Sequence, residues 1–106
     1  MAGSGRLGSL EELVLLALLR LRDNAYGVTI RRELMERAGK DISIGAVYTT
    51  LERLEGKGYV SSRLGEATAQ RGGRAKRYFR IEARGAEALT AARDFVSRMG
   101  EGLSYV

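Results

Sequence analysis

The hydrophobic and polar positions change period along the chain. Ser9-Leu10-Glu11-Glu12 has the spacing of a capping box, with Ser9 as N-cap and Glu12 three residues on. It predicts a helix from about Leu10 to Leu21. From Leu13 to Leu19 that helix is apolar almost all the way round. A helix on a small domain ordinarily buries one stripe, so two covers are expected for this one, its own core and a partner subunit; the plain alternative is a central helix wholly inside one domain. Asp23-Asn24 is a turn and capping signal. A second helix is predicted from about Tyr26 to Arg37. Val28, Ile30, Leu34 and Met35 form its stripe, Arg31, Arg32, Glu33, Glu36 and Arg37 face water, and Gly39 stops it. Ser43 caps a third helix reaching about Glu55. Val47, Leu51 and Leu54 face inward, while Gly45, Ala46, Thr49, Glu52 and Arg53 lie away from them.

The period then shortens. Tyr59 to Leu64 reads as a strand with Val60 and Leu64 on the core face, and Lys76 to Ile81 as its antiparallel partner with Phe79 and Ile81 inward. Gly65 to Ala75 between them is small, polar and glycine-rich, a long hairpin tip. A last helix is predicted from about Ala83 to Met99, with Leu89, Ala92, Val96 and Met99 as a seam that Phe95 widens. The expected fold is mainly helical with a small two-stranded antiparallel wing. Its organisation is a loose arm over 1–8, a winged helix-turn-helix domain over 9–82, and a C-terminal dimerisation helix and tail over 83–106.

Composition narrows the chemistry. The 106 residues are 44% hydrophobic and 29% charged, which suits one folded domain. There is no Cys and no His, so disulfides, thiolate zinc sites, cysteine nucleophiles and the usual general base are excluded. No cofactor, metal site or catalytic residue is expected. Leu13–Leu19 is far too short to span a membrane, and it follows acidic residues rather than a basic region, so a cytoplasmic protein with no membrane partner is expected.

Charge adds a location. Eighteen Lys and Arg stand against thirteen Asp and Glu, a net +5. Ser61 to Arg80 holds Arg63, Arg71, Arg74, Lys76, Arg77 and Arg80 against Glu66 alone, so the whole surplus lies there. A focused basic segment suits a polyanion. Beside it, the third helix has a slim start. Gly45 and Ala46 permit close approach to a major groove, and the helix N-terminus behind Ser43 favours a nearby phosphate. Thr49, Thr50 and Arg53 are placed to reach base edges or phosphates, and Tyr48 and Tyr26 could offer hydroxyls. In the wing, Arg71, Arg74 and Lys76 would follow the backbone, with Gly72-Gly73 letting the tip conform. Each part has a plainer alternative: Tyr48 as a core-edge aromatic, Arg53 paired with Glu52 or Glu55, Tyr26 as a packing residue, and the glycine-rich tip as a loop without a role. Their conjunction points to double-stranded DNA.

Particular runs resemble the PadR family of bacterial transcriptional regulators. They are Leu15–Leu19 followed by Ala25-Tyr26-Gly27-Val28-Thr29-Ile30, Ser43 to Leu54, Lys57-Gly58-Tyr59-Val60, and Gly72 to Ile81 with Gly85. Where the family often carries Pro after the helix-capping Ser and again after its Tyr, this sequence has Ile44 and Thr49. Ending after one C-terminal helix is similar to the family's short branch. The resemblance implies a homodimer in which the last helix packs near the partner's first helix, placing Leu13, Leu16, Leu89, Ala92, Phe95, Val96 and Met99 at the interface. It implies a palindromic operator and repression rather than activation. Some relatives take flat aromatic effectors between tryptophans; with no Trp here that stacking is not carried over, and a small hydrophobic effector stays an open expectation of unassigned identity. The alternative functional class is a winged-helix protein-interaction module that presents Thr49 and Arg53 to a protein. A single-stranded RNA binder would want a platform of exposed aromatics, which few of the seven supply.

Overall fold

The computed structural model describes residues 7–65 and 75–104. Helix α1 (Ser9–Leu21) is followed by a 3-10 turn (Arg22–Asn24), α2 (Gly27–Ala38), α3 (Ile44–Gly56), strands β1 (Val60–Leu64) and β2 (Arg77–Ile81), and α4 (Ala83–Gly100). The strands form a two-stranded antiparallel sheet. This is the expected mainly helical architecture with a small wing. Among the described residues no helix is long and apolar enough to cross a membrane.

Helix starts show where local signals prevail and where distant ones do. The cap of α1 is Gly8, not Ser9, and its N–H donates to Oε1 of Glu11 at 2.8 Å. Glu11 rather than Glu12 takes the role because it is pulled inside the domain. It is buried, and Nζ of Lys57, from beyond the end of α3, lies 3.1 Å from both its carboxylate oxygens. The turn before α2 is held by Thr29, whose Oγ1 accepts the Tyr26 N–H at 3.0 Å and donates to the Asn24 carbonyl at 2.6 Å. Gly39 closes α2 in the left-handed region at φ +63°, where its own N–H and that of Lys40 satisfy the carbonyls of Met35 and Leu34. At α3 the expected cap is present: the Ser43 hydroxyl accepts the Ala46 N–H at 3.0 Å.

The core gathers around α1. Val14, Leu15, Ala17 and Leu18 are buried there, and α1 packs against α2, α3, α4 and β2. Ile30 and Leu34 come from α2, Val47, Leu51 and Leu54 from α3, and Tyr59, Val60 and Phe79 from the sheet and its approach. The stripe of α2 is narrower than its sequence suggests. Val28 and Met35 are exposed, while Thr29 takes a buried place. Arg31 is half-buried rather than solvated, and donates to the Ile42 carbonyl at 2.7 Å, pinning the connector.

Pairing sets Val60 opposite Ile81, Ser62 opposite Phe79 and Leu64 opposite Arg77. Leu64 therefore shares the face of Val60 and Phe79, as alternation requires. It is nonetheless 61% exposed, because that face runs past the end of the core toward the wing tip.

Helix α4 begins inside the domain and leaves it. The Glu82 N–H donates to the Tyr59 carbonyl at 2.8 Å, and the Glu82 carboxyl, bonded to the Ser61 hydroxyl and paired with Arg80, is held below the usual carboxylate range. Gly85 and Leu89 are the buried residues of α4. Leu89, expected at a dimer seam, thus lies in the protomer's own core. A Cβ at Gly85 would strike the Tyr59 carbonyl oxygen and stand 3.0 Å from its carbon and 3.1 Å from Cγ1 of Ile81. Backbone cannot yield as a flexible side chain can. Gly85→Ala is therefore expected to cost about 1–3 kcal/mol and to lower the melting temperature, whereas Gly100→Ala, with open space around its Cβ position, should leave it nearly unchanged.

Candidate nucleic-acid interface

The outward strip of α3 starts at its capped end. Gly45 is exposed, and a Cβ there would approach only the Ser43 hydroxyl. Ala46 is half-buried, and Tyr48, Thr49, Glu52 and Arg53 are exposed along the following turns. Thr50 does not join them. It is 3% exposed and its hydroxyl donates to the Ala46 carbonyl at 2.8 Å. Position 50 falls beside Leu54 on the helical circle, at the edge of the stripe that Val47, Leu51 and Leu54 form, so it belongs to the inward face.

The base of the wing is fastened to the start of α2. The Phe79 N–H donates to the Ala25 carbonyl at 2.9 Å, and Tyr26 bridges to Tyr78. Their rings meet edge to face at 5.4 Å. Lys76 Nζ lies 4.5 Å from the Tyr26 ring centre and 3.5 Å from its hydroxyl, while the Arg63 guanidinium lies 4.9 Å from the Tyr78 ring. Each cation over a ring at such an exposed site contributes about 0.5–1 kcal/mol. On the other flank, Arg77 donates to the Ser62 hydroxyl at 3.0 Å, which donates to Glu55 at 2.8 Å, tying the wing to the end of α3.

Between α3 and the wing runs a groove of about 690 Å³, lined among others by Tyr26, Val28, Tyr48, Glu52, Lys76 and Arg77. The outer side of α3 and the base of the wing thus open onto the same side of the molecule. Of the residues expected to form a site, Tyr26, Tyr48 and Lys76 line this groove, and Ser43, Gly45, Ala46, Thr49 and Arg53 belong to α3 and its cap. Arg71, Gly72 and Arg74 lie outside the described residues. Strand alternation sets Arg77 on the side of Phe79 with that side open to water near the tip, and Arg77 is exposed; Ile44, the first residue of α3 and also exposed, is not singled out for the site by the sequence. Among the described residues no group of three His, Cys, Asp or Glu could hold a metal ion.

Tyr48 is wedged. Its ring lies 6.4 Å from that of Phe79, and a Cβ on Gly27 would fall 2.6 Å from its Cζ. The Tyr26-Gly27 pair is thereby explained: Tyr26 holds the wing, and Gly27 leaves room for the α3 aromatic.

A second open concavity, about 660 Å³, lies between α1 and α2. Leu13, Leu16 and Leu19 line it, and Glu33 on its rim is held by Arg20 at 3.2 Å and Arg37 at 3.1 Å. On α4, Ala92 is half-buried and Phe95, Val96 and Met99 are exposed, Met99 to 79%.

Comparison with known proteins gives a consistent picture. The model of the transcriptional regulator PadR-like family matches residues 15–91. A PadR family transcription regulator from Clostridium difficile superposes with a TM-score of 0.70 at 23% identity, covering 88% of this chain and 95% of the other. A transcriptional regulator from Clostridium thermocellum gives 0.72 at 22% identity, covering 87% and 86%. RosR from H. salinarum gives 0.69 at 20% identity, covering 92% and 81%. At these identities the structures speak to the fold. No curated protein matches the sequence.

The wedge at Gly27 has a measurable signature. Gly27→Ala should destabilise the fold by about 1–3 kcal/mol, and most of that loss should vanish when the same substitution is made on a Tyr48→Ala background. A double-mutant cycle by chemical denaturation reads the coupling.

Proposed function

Since the chain belongs to the transcriptional regulator PadR-like family, we propose that it regulates transcription by binding duplex DNA in a sequence-specific manner, as a homodimer that represses from a palindromic operator. The observation that carries this reading is the common groove of α3 and the wing. A recognition helix enters the major groove by its N-terminal part while flanking cations neutralise phosphates. Here the slim capped end of α3 would supply the first and Lys76, Arg77 and the wing arginines Arg71 and Arg74 the second. Thr49 and Arg53 offer the hydrogen-bonding groups for base edges or phosphates, and Glu52 adds an acceptor able to meet a cytosine amino group.

The homodimer is supported by two faces left open on one protomer. The outer half of α4 exposes Phe95, Val96 and Met99, and the α1–α2 concavity offers Leu13, Leu16 and Leu19. A second copy's α4 laid along the concavity would close apolar surface on both faces at once. Two-fold symmetry would then set half-sites about one helical turn apart, roughly 34–36 Å. Repression is the regulatory sign that the family resemblance favours.

A mobility-shift assay on the protein's own promoter fragment tests the reading, and equal retention of an unrelated duplex would sink it. Lys76→Ala should weaken binding alike on all sequences and reduce the slope of log affinity against log salt by about one; an unchanged slope would remove Lys76 from the phosphate contacts. Val96→Asp should convert the dimer to a monomer in sedimentation, with the circular dichroism spectrum retained because Val96 lies outside the protomer's core.

A further inference from the structure

The first turn of α3 carries an exposed aliphatic residue on the very end that the DNA-binding reading turns toward the major groove. Ile44, its first residue, is 41% exposed. Ile42, two residues earlier, packs against the core; Ile44 does not. A β-branched side chain gains nothing at a helix start over Ser, Asp or Pro, and left in water it forgoes its burial energy. It stands beside Gly45, whose Cβ position meets only the Ser43 hydroxyl, on the helix end that also carries the exposed Thr49 one turn later.

The three residues after the cap bring no side-chain hydrogen-bonding group. Ile44, Gly45 and Ala46 have no polar side-chain atom; the Ser43 hydroxyl before them accepts the Ala46 N–H at 3.0 Å and keeps its own O–H to donate. The backbone N–H groups at a helix start suit phosphate rather than base edges. A base edge that faces Ile44 itself is therefore met by hydrocarbon. In the major groove one feature rewards hydrocarbon, the C5-methyl group of thymine.

We infer that Ile44 is a specificity-determining residue that reads a thymine methyl in each operator half-site. This rests on the DNA-binding reading above and deepens it. Ile44 would favour thymine by burying methyl against methyl, and would leave the donors and acceptors of other base pairs without partners at that position. Thr49 and Arg53 would then read the base pairs that follow.

Deoxyuridine, which differs from thymidine only by lacking the C5-methyl, tests this directly. The duplex bound most tightly from a random-sequence pool is resynthesised with each thymine replaced singly by uracil. Wild-type affinity should fall roughly fourfold at one thymine per half-site, the worth of one buried methyl, and stay level at the others. Ile44→Ala should bind the all-thymine duplex more weakly by a similar factor and show no further loss with uracil at that position; its melting temperature should match the wild type, since the side chain is outside the core. Uracil tolerated at every position, or a uracil effect undiminished in Ile44→Ala, would overturn the inference while leaving DNA binding intact. A pool yielding no duplex bound above the starting mixture would overturn the DNA-binding reading itself, and this inference with it.

Discussion

The wing stands beside α3 because its return strand is sewn to the start of α2. One backbone hydrogen bond, from Phe79 to Ala25 at 2.9 Å, fixes the register, and the Tyr26–Tyr78 bridge and ring contact extend it. The same few residues seat α3, since Gly27 makes the space that Tyr48 fills and Tyr48 leans toward Phe79. Three elements distant in sequence therefore meet within Ala25–Gly27. Shifting β2 by one residue would turn Phe79 outward and Tyr78 inward, losing both the core aromatic and the ring that Arg63 covers. The common groove is a consequence of that seam.

Much of this was legible from residue order. Helix periods, the Ser43 cap, the Gly39 stop and the change to alternation marked every element, because each is a local signal. The departures share a cause. Glu11 displaced Glu12 at the first cap because Lys57, far along the chain, draws it inward, and no local pattern carries that partner. Strand alternation gave Leu64 its face correctly but not the point where the core stops. Thr50 was misplaced by reading polarity instead of angle: with Val47 and Leu54 inward, position 50 is inward too, and its hydroxyl is satisfied by the turn above. Val28 and Met35 looked like core by composition but sit at the edges of a stripe that Thr29 and Ile30 occupy.

The candidate site was legible as a set of residues rather than as a surface. The charge surplus located the wing, and the small residues located the start of α3, but their placement on one side required the structure. The groove is also less uniformly basic than the sequence suggested. Glu52 and Glu55 enter it from α3, and Glu55 is taken up by Ser62 and, through it, Arg77. Positive charge is concentrated on the wing flank, leaving the helix flank to shape, hydrocarbon and a few polar groups, a division that suits affinity on one side and discrimination on the other.

Helix α4 has a mechanical consequence. Its root is clamped where Gly85 abuts the Tyr59 carbonyl and Glu82 bonds to it, directly at the strand that carries the wing. Beyond Leu89 it has no buried residue to steady it. From Leu89 to Gly100 the helix rises by roughly 17 Å at about 1.5 Å per residue, so a deflection of some 5° about Leu89 swings its free end by roughly 1.5 Å. Motion at the far end is thus taken up beyond Leu89, while the root beside the sheet stays where the core holds it.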